Sequence, residues 1–194
     1  MEIASYLRNY RGKSLFLPAH GRGSALPRDF QKLLRSRAGV WDLPELPEFG
    51  GPLEPQGAVA RSQEKSAKSF GVDKCWYGVN GATGLLQAAI LSVARPGSAI
   101  LIPKNVHRSV IQACVLGDIT PVLFDLPFFS DRGHYKPLDE AWLKKVLEEL
   151  SINGLNVVSA LLVNPSYQGY SSDILSLIKQ LHLKGLPVIV DEAH

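Results

Sequence analysis

Short apolar runs alternate with longer amphipathic stretches from residue 56 to the end of the chain. The short runs are continuously apolar, which is typical of strands buried on both faces of a parallel sheet, and the stretches between them have helical spacing. The pattern predicts strands at 75–79, 99–102, 120–124, 157–163 and 188–190, and helices at 56–69, 85–94, 107–116, 138–150 and 173–184. We therefore expect an α/β fold with a mostly parallel central sheet and helices on both faces.

The last predicted strand is followed by only four residues and by no helix that would cover it. Because both faces of a parallel sheet are normally covered, this pattern predicts a domain that is incomplete at its C-terminus.

The first 55 residues follow a different pattern. Proline and glycine interrupt the segment repeatedly, and only 2–9 and 27–36 are candidates for helices. A segment so rich in turn-forming residues is expected to cross a surface or line a cleft rather than form a core. The predicted organisation is an N-terminal arm with short helices at 1–55, followed by the front part of a main domain at 56–194.

Composition and charge exclude several classes of protein. The net charge of +3 over 194 residues is too small for a nucleic-acid-binding face. Cys75 and Cys114 are too far apart in the sequence to suggest a disulfide framework or a metal site. No apolar run approaches the about 20 residues that span a bilayer, and the N-terminus lacks the apolar core of a signal peptide. We expect a cytoplasmic protein that binds neither nucleic acid nor membranes.

Right-handed crossovers bring the carboxyl ends of parallel strands to one edge of the sheet, where ligands bind. The segments expected at this edge are 80–84, 103–109, 125, 164–169 and 191–194. Asn80–Gly84 lies between a predicted strand and a predicted helix. The free N–H groups of the helix start, with the Thr83 hydroxyl, suit a phosphate group. A tight turn capped by Thr83 explains the same residues, so both interpretations stay open.

Two further residues at this edge carry candidate chemistry. His107 stands at a predicted helix start, where its flat ring could stack on an aromatic cofactor; a surface or helix-capping histidine is the simpler interpretation of this residue alone. Asp191 ends an apolar strand, and a buried carboxylate is costly unless a cation neutralises it. That cation could be a metal ion, a lysine or arginine, or a protonated pyridinium.

The letters Asp-Glu-Ala-His at 191–194 suggest the magnesium-binding carboxylate of a helicase-like NTPase. Such an enzyme needs a phosphate loop, and Leu7 stands where the loop ending in Gly12-Lys13-Ser14 requires its first glycine. A pyridoxal 5'-phosphate (PLP) enzyme needs a phosphate site at a helix start, a stacking partner and an acid opposite the ring nitrogen. Asn80–Gly84, His107 and Asp191 supply these three in order, so the sequence favours PLP.

The chain resembles the major domain of the ornithine/lysine/arginine decarboxylases, PLP enzymes of the aspartate-aminotransferase fold type. The resemblance extends over the whole chain and rests on a series of segments in order: Phe16–Gly23, Asp42–Glu45, Gly51–Leu53, Phe70–Asp73, Val79–Gly84, Asn105–Ser109, Asn164–Gly169 and Asp191–His194. The departures from the family's usual pattern are Gly21-Arg22, Gly51, Ala82 and Arg108. They leave the fold prediction intact and weaken any statement about which amino acid is the substrate.

This resemblance implies decarboxylation of arginine, lysine or ornithine to a polyamine-type amine and CO₂, as part of a longer enzyme. By resemblance, Asp191 holds the ring-nitrogen proton, His107 stacks on the ring and His194 lies near the phenolic oxygen or the substrate carboxylate. The residues that it assigns to the cofactor are Gly81, Ala82, Thr83, Gly84, His107, Asp191 and His194, and His107, Asp191 and His194 are also its catalytic residues. It also implies a homodimer or higher oligomer for the intact protein.

The family's Schiff-base lysine is expected after Asp191 in a Ser-x-His-Lys-like context, and no lysine of this chain stands in one. We therefore expect the chain by itself to be inactive as a decarboxylase. Two alternatives stay open. One is a PLP enzyme of the same fold with another reaction, such as an aminotransferase or a lyase, and the other is a non-catalytic binding or interaction protein.

Overall fold

A computed structural model describes residues 3, 5, 9–12, 23–36, 42–44 and 46–193. The chain divides into two compact units, Met1–Trp76 and Tyr77–His194. The domain boundary expected between residues 55 and 56 stays a prediction. None of the described helices is both long and apolar enough to cross a membrane.

The first unit contains helices α1 (Arg28–Arg35) and α2 (Gly57–Phe70), close to the predicted helices 27–36 and 56–69. Helix α1 buries none of its residues. Helix α2 starts at Gly57, where a positive φ of 97° and a close approach to the Phe49 carbonyl oxygen exclude a side chain. Gln63 fixes the helix to the preceding segment by donating from Nε2 to the Pro52 carbonyl oxygen at 3.1 Å.

The second unit is a parallel sheet with helices on both faces, which confirms the predicted α/β fold. Its elements in chain order are α3 (Gly81–Val93), β1 (Ala99–Pro103), α4 (Arg108–Leu116), β2 (Thr120–Phe124), β3 (Phe128–Phe129), β4 (His134–Tyr135), α5 (Glu140–Ile152), β5 (Ser159–Val163), α6 (Ile174–His182) and β6 (Val188–Asp191). The four long strands pair in the order β2-β1-β5-β6, all parallel.

The core has two parts because successive side chains of a strand point to opposite faces of the sheet. On one face, Leu101 and Leu162 pack with apolar residues of α5 and α6, including Leu143 and Leu177. On the other face, Ile100, Ile102 and Leu161 pack with residues of α3 and α4, including Ile90, Val110 and Ala113. The sheet is therefore held between two helix layers.

The prediction of a strand at 75–79 is wrong. These residues have no regular secondary structure, and the side chains of Trp76 and Val79 are 53% and 92% exposed. A strand is stable only with a hydrogen-bonded neighbour, and within the described ranges no strand pairs with this segment. The apolar composition was therefore not sufficient to specify a strand.

Two other elements differ from the sequence prediction. Helix α3 begins at Gly81, four residues before the predicted start at 85, so that the expected turn at 81–84 is the first turn of the helix. The antiparallel hairpin of β3 and β4 was not predicted. Its strands have two residues each, which is too short to show a periodic pattern.

Candidate functional site

Four residues lie in one row across the carboxyl edge of the sheet. Val163 pairs with Asp191, and the β1–β2 and β1–β5 registers, continued beyond Pro103, place Lys104 between Asp125 and Val163. Neighbouring strands are ~4.8 Å apart, so the Cα atoms of Lys104 and Asp191, two strands apart, are separated by about 10 Å across the sheet. An acid thus stands at each end of the row, and a base stands beside one of them.

A cavity of about 670 Å³ opens above this edge. Among the predicted cofactor-binding residues Ala82, Thr83, His107 and Asp191 line it, whereas Gly81 and Gly84 do not, and His194 lies outside the described residues. The other side chains at the cavity include Lys104, Asn105, Ser109, Tyr135, Tyr167 and Gln168. The structure therefore brings together three separate segments that the sequence predicted to converge.

The N-terminus of α3 forms one wall of the cavity. Asn80 precedes the helix, and its side chain accepts no hydrogen bond from the first turn. The N–H groups of a first helical turn have no partners within the helix and carry partial positive charge. Thr83 lies inside this turn, with an exposed side chain, and is therefore not the helix cap. The wall suits an anionic group such as a phosphate.

His107 is the N-cap of α4, and its ring is fixed from one side. Nδ1 accepts a hydrogen bond from the Ser109 backbone N–H at 3.2 Å and lies 2.8 Å from Ser109 Oγ. Because a backbone N–H can only donate, Nδ1 carries no proton, and a neutral ring has its proton on Nε2. The capping role and the position at the cavity, considered as alternatives from the sequence, therefore occur together.

Asp191 is buried, with 7% of its surface exposed, at the end of β6. Its Oδ1 accepts a hydrogen bond from the Ala193 backbone N–H at 3.1 Å. In the described part of the chain no basic side chain forms an ion pair with it, and no cluster of three potential ligands could hold a metal ion. A buried carboxylate with one neutral donor is incompletely stabilised, so a cationic ring nitrogen brought in by a ligand fits this donor set.

The sequence was compared with those of known protein families. The sequence pattern of the Orn/Lys/Arg decarboxylase major domain matches residues 7–194. The chain belongs to this family. The predicted resemblance is thereby confirmed.

The relatives of this decarboxylase-family chain are considerably longer than it is. An arginine decarboxylase of Halalkalibacterium halodurans is 30% identical over 183 residues, covering 92% of this chain and 35% of that protein. The chain thus spans about a third of the length of these curated arginine decarboxylases.

Solved structures show the same fold at lower identity. The constitutive lysine decarboxylase of Escherichia coli superposes with a TM-score of 0.70 at 19% identity, covering 98% of this chain and 28% of that one. The pyridoxal-5'-phosphate dependent protein YhfS from Escherichia coli has a TM-score of 0.56 at 18% identity, covering 84% and 41%. The fold of this family member is therefore that of PLP-dependent enzymes of fold type I.

Lys104 was not nominated from the sequence as a site residue. Its Nζ lies 2.8 Å from both carboxylate oxygens of Asp125, one strand away. This hydrogen bond raises the pKa of Lys104 above its ordinary value of 10.5, which keeps the side chain protonated. Lys104 and Asp125 both follow the ends of predicted strands, and this position was the signal in the sequence that could have identified them as site residues.

Tyr135 was also missed, because it reaches the cavity from the unpredicted β3–β4 hairpin. The hairpin is attached to the loop after β5 by a cluster of rings. His134 lies 5.2 Å from Tyr170 and 5.4 Å from Phe129, and Arg132 donates to the Tyr170 hydroxyl at 3.2 Å. The loop in turn contributes Tyr167 to the cavity. Two cavity walls are therefore joined at a point outside the cavity.

Asn105 separates this cavity from a smaller one of about 20 Å³, since it lines both. Its Oδ1 is buried and accepts no hydrogen bond from any described residue. Ser166 and Tyr170 also line the smaller space. The volume is large enough for one water molecule, and a hydrogen bond from such a water would satisfy this oxygen.

Proposed function

We propose that the carboxyl edge of this sheet binds pyridoxal 5'-phosphate and serves the decarboxylation of a basic amino acid: arginine, lysine or ornithine. Asp191 is the observation that carries the proposal, because this buried carboxylate, with no ion-pair partner among the described residues, lines a cavity that a helix N-terminus also lines. The substrate class is supported by relatives named arginine decarboxylase and lysine decarboxylase.

The proposal assigns a separate task to each residue. The first turn of α3, with Thr83, binds the phosphate through N–H and O–H donors. His107, whose ring is held by Ser109, packs on the face of the cofactor ring. Asp191 keeps the ring nitrogen protonated through a charge-assisted hydrogen bond. His194 is assigned to the phenolic oxygen or the substrate carboxylate by family resemblance.

When bound, pyridoxal phosphate supplies an electron sink for the electron pair that remains on the substrate when its carboxylate leaves as CO₂. The residues of this chain contribute by holding a proton at the ring nitrogen and by fixing the plane of the ring. For the whole protein we propose a cytoplasmic homodimer or higher homo-oligomer in polyamine-type amine production.

The cofactor assignment is tested by the binding of pyridoxamine 5'-phosphate, which has no aldehyde and therefore needs no lysine partner. We expect the chain to bind it and Asp191→Asn to weaken binding about 10- to 100-fold, since a hydrogen bond to a charged group contributes about 1.5–3 kcal/mol. Titration calorimetry gives both dissociation constants. Asp118→Asn is the matched control, because Asp118 is exposed and does not line the cavity. Equal affinity of Asp191→Asn and the wild type would contradict the assignment.

We also propose that this chain by itself does not form a Schiff base at the site. Lys104 is the only described lysine that lines the cavity, and its protonated ammonium is not a nucleophile. Treatment with pyridoxal 5'-phosphate and borohydride, followed by peptide mapping, should label no single lysine stoichiometrically. Complete labelling of one lysine would overturn this part of the proposal.

A further inference from the structure

Lys104 places a positive charge in the cavity at a point that the proposed cofactor contacts do not use. It follows β1 directly, and its backbone N–H donates to the Phe124 carbonyl oxygen at 3.0 Å, which fixes the start of its side chain. Nζ is held at the other end by Asp125. The ammonium is therefore positioned at both ends rather than free in solvent.

The ammonium retains donor capacity. A lysine has three N–H donors, and the two oxygens of Asp125 are the only partners recorded for Nζ among the described residues. The Lys104 side chain is 43% exposed, so the remaining donor is accessible. Tyr135 also lines the cavity.

The charges of the cavity indicate which group this end would bind. Asp191 and Lys104 are the only described residues with permanent charges that line it. Under the proposed function Asp191 is used by the ring nitrogen, so the charged group that an arriving amino acid meets at the cavity lining is the Lys104 ammonium, whose ion-pair partner Asp125 does not line the cavity. A group of opposite charge is favoured there, and every amino acid carries an α-carboxylate.

We propose that Lys104 binds the α-carboxylate of the amino-acid substrate and that Asp125 is the positioning residue that holds it. This inference rests on the proposed function. The α-carboxylate and the cofactor phosphate are both anions, so either group could bind the Lys104 ammonium. The experiment therefore separates these two sources.

The test uses three ligands with the 194-residue chain. Of the two anionic groups, pyridoxamine 5'-phosphate has only the phosphate. N-(5'-phosphopyridoxyl)-L-lysine, joined through the α-nitrogen, adds the α-carboxylate and the lysine side chain. N-(5'-phosphopyridoxyl)-cadaverine has the same side chain but no carboxylate. We expect the wild type to bind the lysine adduct about tenfold more tightly than the cadaverine adduct, the effect of one charge-assisted hydrogen bond. In Lys104→Met the ratio should fall to about one, with unchanged affinity for pyridoxamine 5'-phosphate.

Lys144→Met is the matched control, since Lys144 is exposed on α5 and does not line the cavity. It should keep the tenfold ratio. Equal thermal unfolding of all variants shows that the fold is retained. Because the comparison is between two ligands on the same variant, a moderate loss of stability leaves the ratio interpretable.

Asp125→Asn tests the positioning role through the pH profile of this ratio. Asp125 raises the pKa of Lys104, so the variant should lose its preference for the lysine adduct at a lower pH than the wild type does. Asp131→Asn, a change at another exposed acid, should leave the profile unchanged.

Three results would overturn the inference in distinguishable ways. A wild-type ratio of one means that no carboxylate is recognised. A loss of pyridoxamine 5'-phosphate binding in Lys104→Met means that Lys104 binds the phosphate instead. Failure of the wild type to bind any of the three ligands rejects the proposed function and this inference with it.

Discussion

Helix α3 begins differently from the other three helices that pack on the sheet, α4, α5 and α6, because it alone has no side-chain cap. On one face α5 and α6 each follow an aspartate that caps the helix: Asp139 accepts from the Trp142 N–H at 2.8 Å, and Asp173 accepts from the Ser176 N–H at 3.4 Å. On the other face His107 caps α4 by accepting from the Ser109 N–H at 3.2 Å, whereas α3 follows Asn80, which makes no such bond. The carboxylates differ in the same way: Asp139 and Asp173 are exposed and cap helices, whereas Asp191, near α3, is buried and has no ion-pair partner among the described residues.

The capped helices stabilise the fold by themselves, whereas the N-terminus of α3 and Asp191 have polar groups that a ligand could bind. Capping a helix with its own side chain satisfies orphan N–H groups at once. Leaving them open, beside a buried carboxylate, costs stability and keeps donors and charge available for binding. The comparison predicts opposite responses to mutation on the face covered by the capped helices α5 and α6 and at the site beside the uncapped α3.

The largest effect is expected in the core of the capped face. Leu143→Ala should lower the free energy of unfolding by about 2–5 kcal/mol, because Leu143 is fully buried between α5 and the sheet and its removal leaves a cavity. Urea unfolding measures this loss. Leu183→Ala, at an 86% exposed position, is the control and should change stability by less than about 0.5 kcal/mol.

Asp191→Asn should act in the opposite direction on stability. Without ligand we expect the free energy of unfolding to rise by about 1–2 kcal/mol, because the amide keeps an acceptor for Ala193 and removes an uncompensated buried charge. The same variant should bind pyridoxamine 5'-phosphate less tightly. A clear loss of stability in the unliganded protein would show that the carboxylate is already satisfied.

The helix caps give a smaller and more direct contrast. Asp139→Ala should cost about 1 kcal/mol, since the Trp142 N–H loses its acceptor. Asn80→Ala should cost only a few tenths of a kcal/mol, because Asn80 provides no cap to lose. Thermal unfolding of the two variants compares them directly. Equal costs would remove the distinction between the capped helices and α3.

The smallest effect concerns acid stability on the capped face. Hydrogen bonds from Ser176 lower the pKa of Asp173 below its ordinary value of 3.8. A carboxylate with a lowered pKa in the folded state stabilises the protein above its unfolded-state pKa, and this contribution disappears as the pH falls through the folded-state pKa. Asp173→Asn should therefore unfold with a weaker dependence on pH below about 4 than the wild type shows.

Much of this arrangement was predictable from the sequence, for identifiable reasons. Continuously apolar strands separated by helices specify a parallel sheet, and in such a sheet the strand ends converge. The structure accordingly has Thr83, His107 and Asp191 at one cavity, and their roles toward a cofactor stay predictions. The strand at 75–79 was wrong because local composition does not show whether a hydrogen-bonding neighbour exists.

Residues at the cavity were missed for a different reason. Lys104 and Asp125 stand at predicted strand ends, but their pairing depends on β1 and β2 being neighbours, which the strand order alone determines. Tyr135 reaches the cavity from a hairpin too short to leave a pattern in the sequence. Contacts across the sheet and from irregular segments are set by tertiary structure.

The rings of Phe129 and His134 in the β3–β4 hairpin pack against the ring of Tyr170 in the loop after β5, so the two segments are coupled. The hairpin lies outside the four-stranded sheet, so changes in its length leave the pairing of β2 intact. Such a change would nevertheless move Tyr135 and, through the cluster, Tyr167. A change in the hairpin can thus alter the cavity without altering the four-stranded sheet.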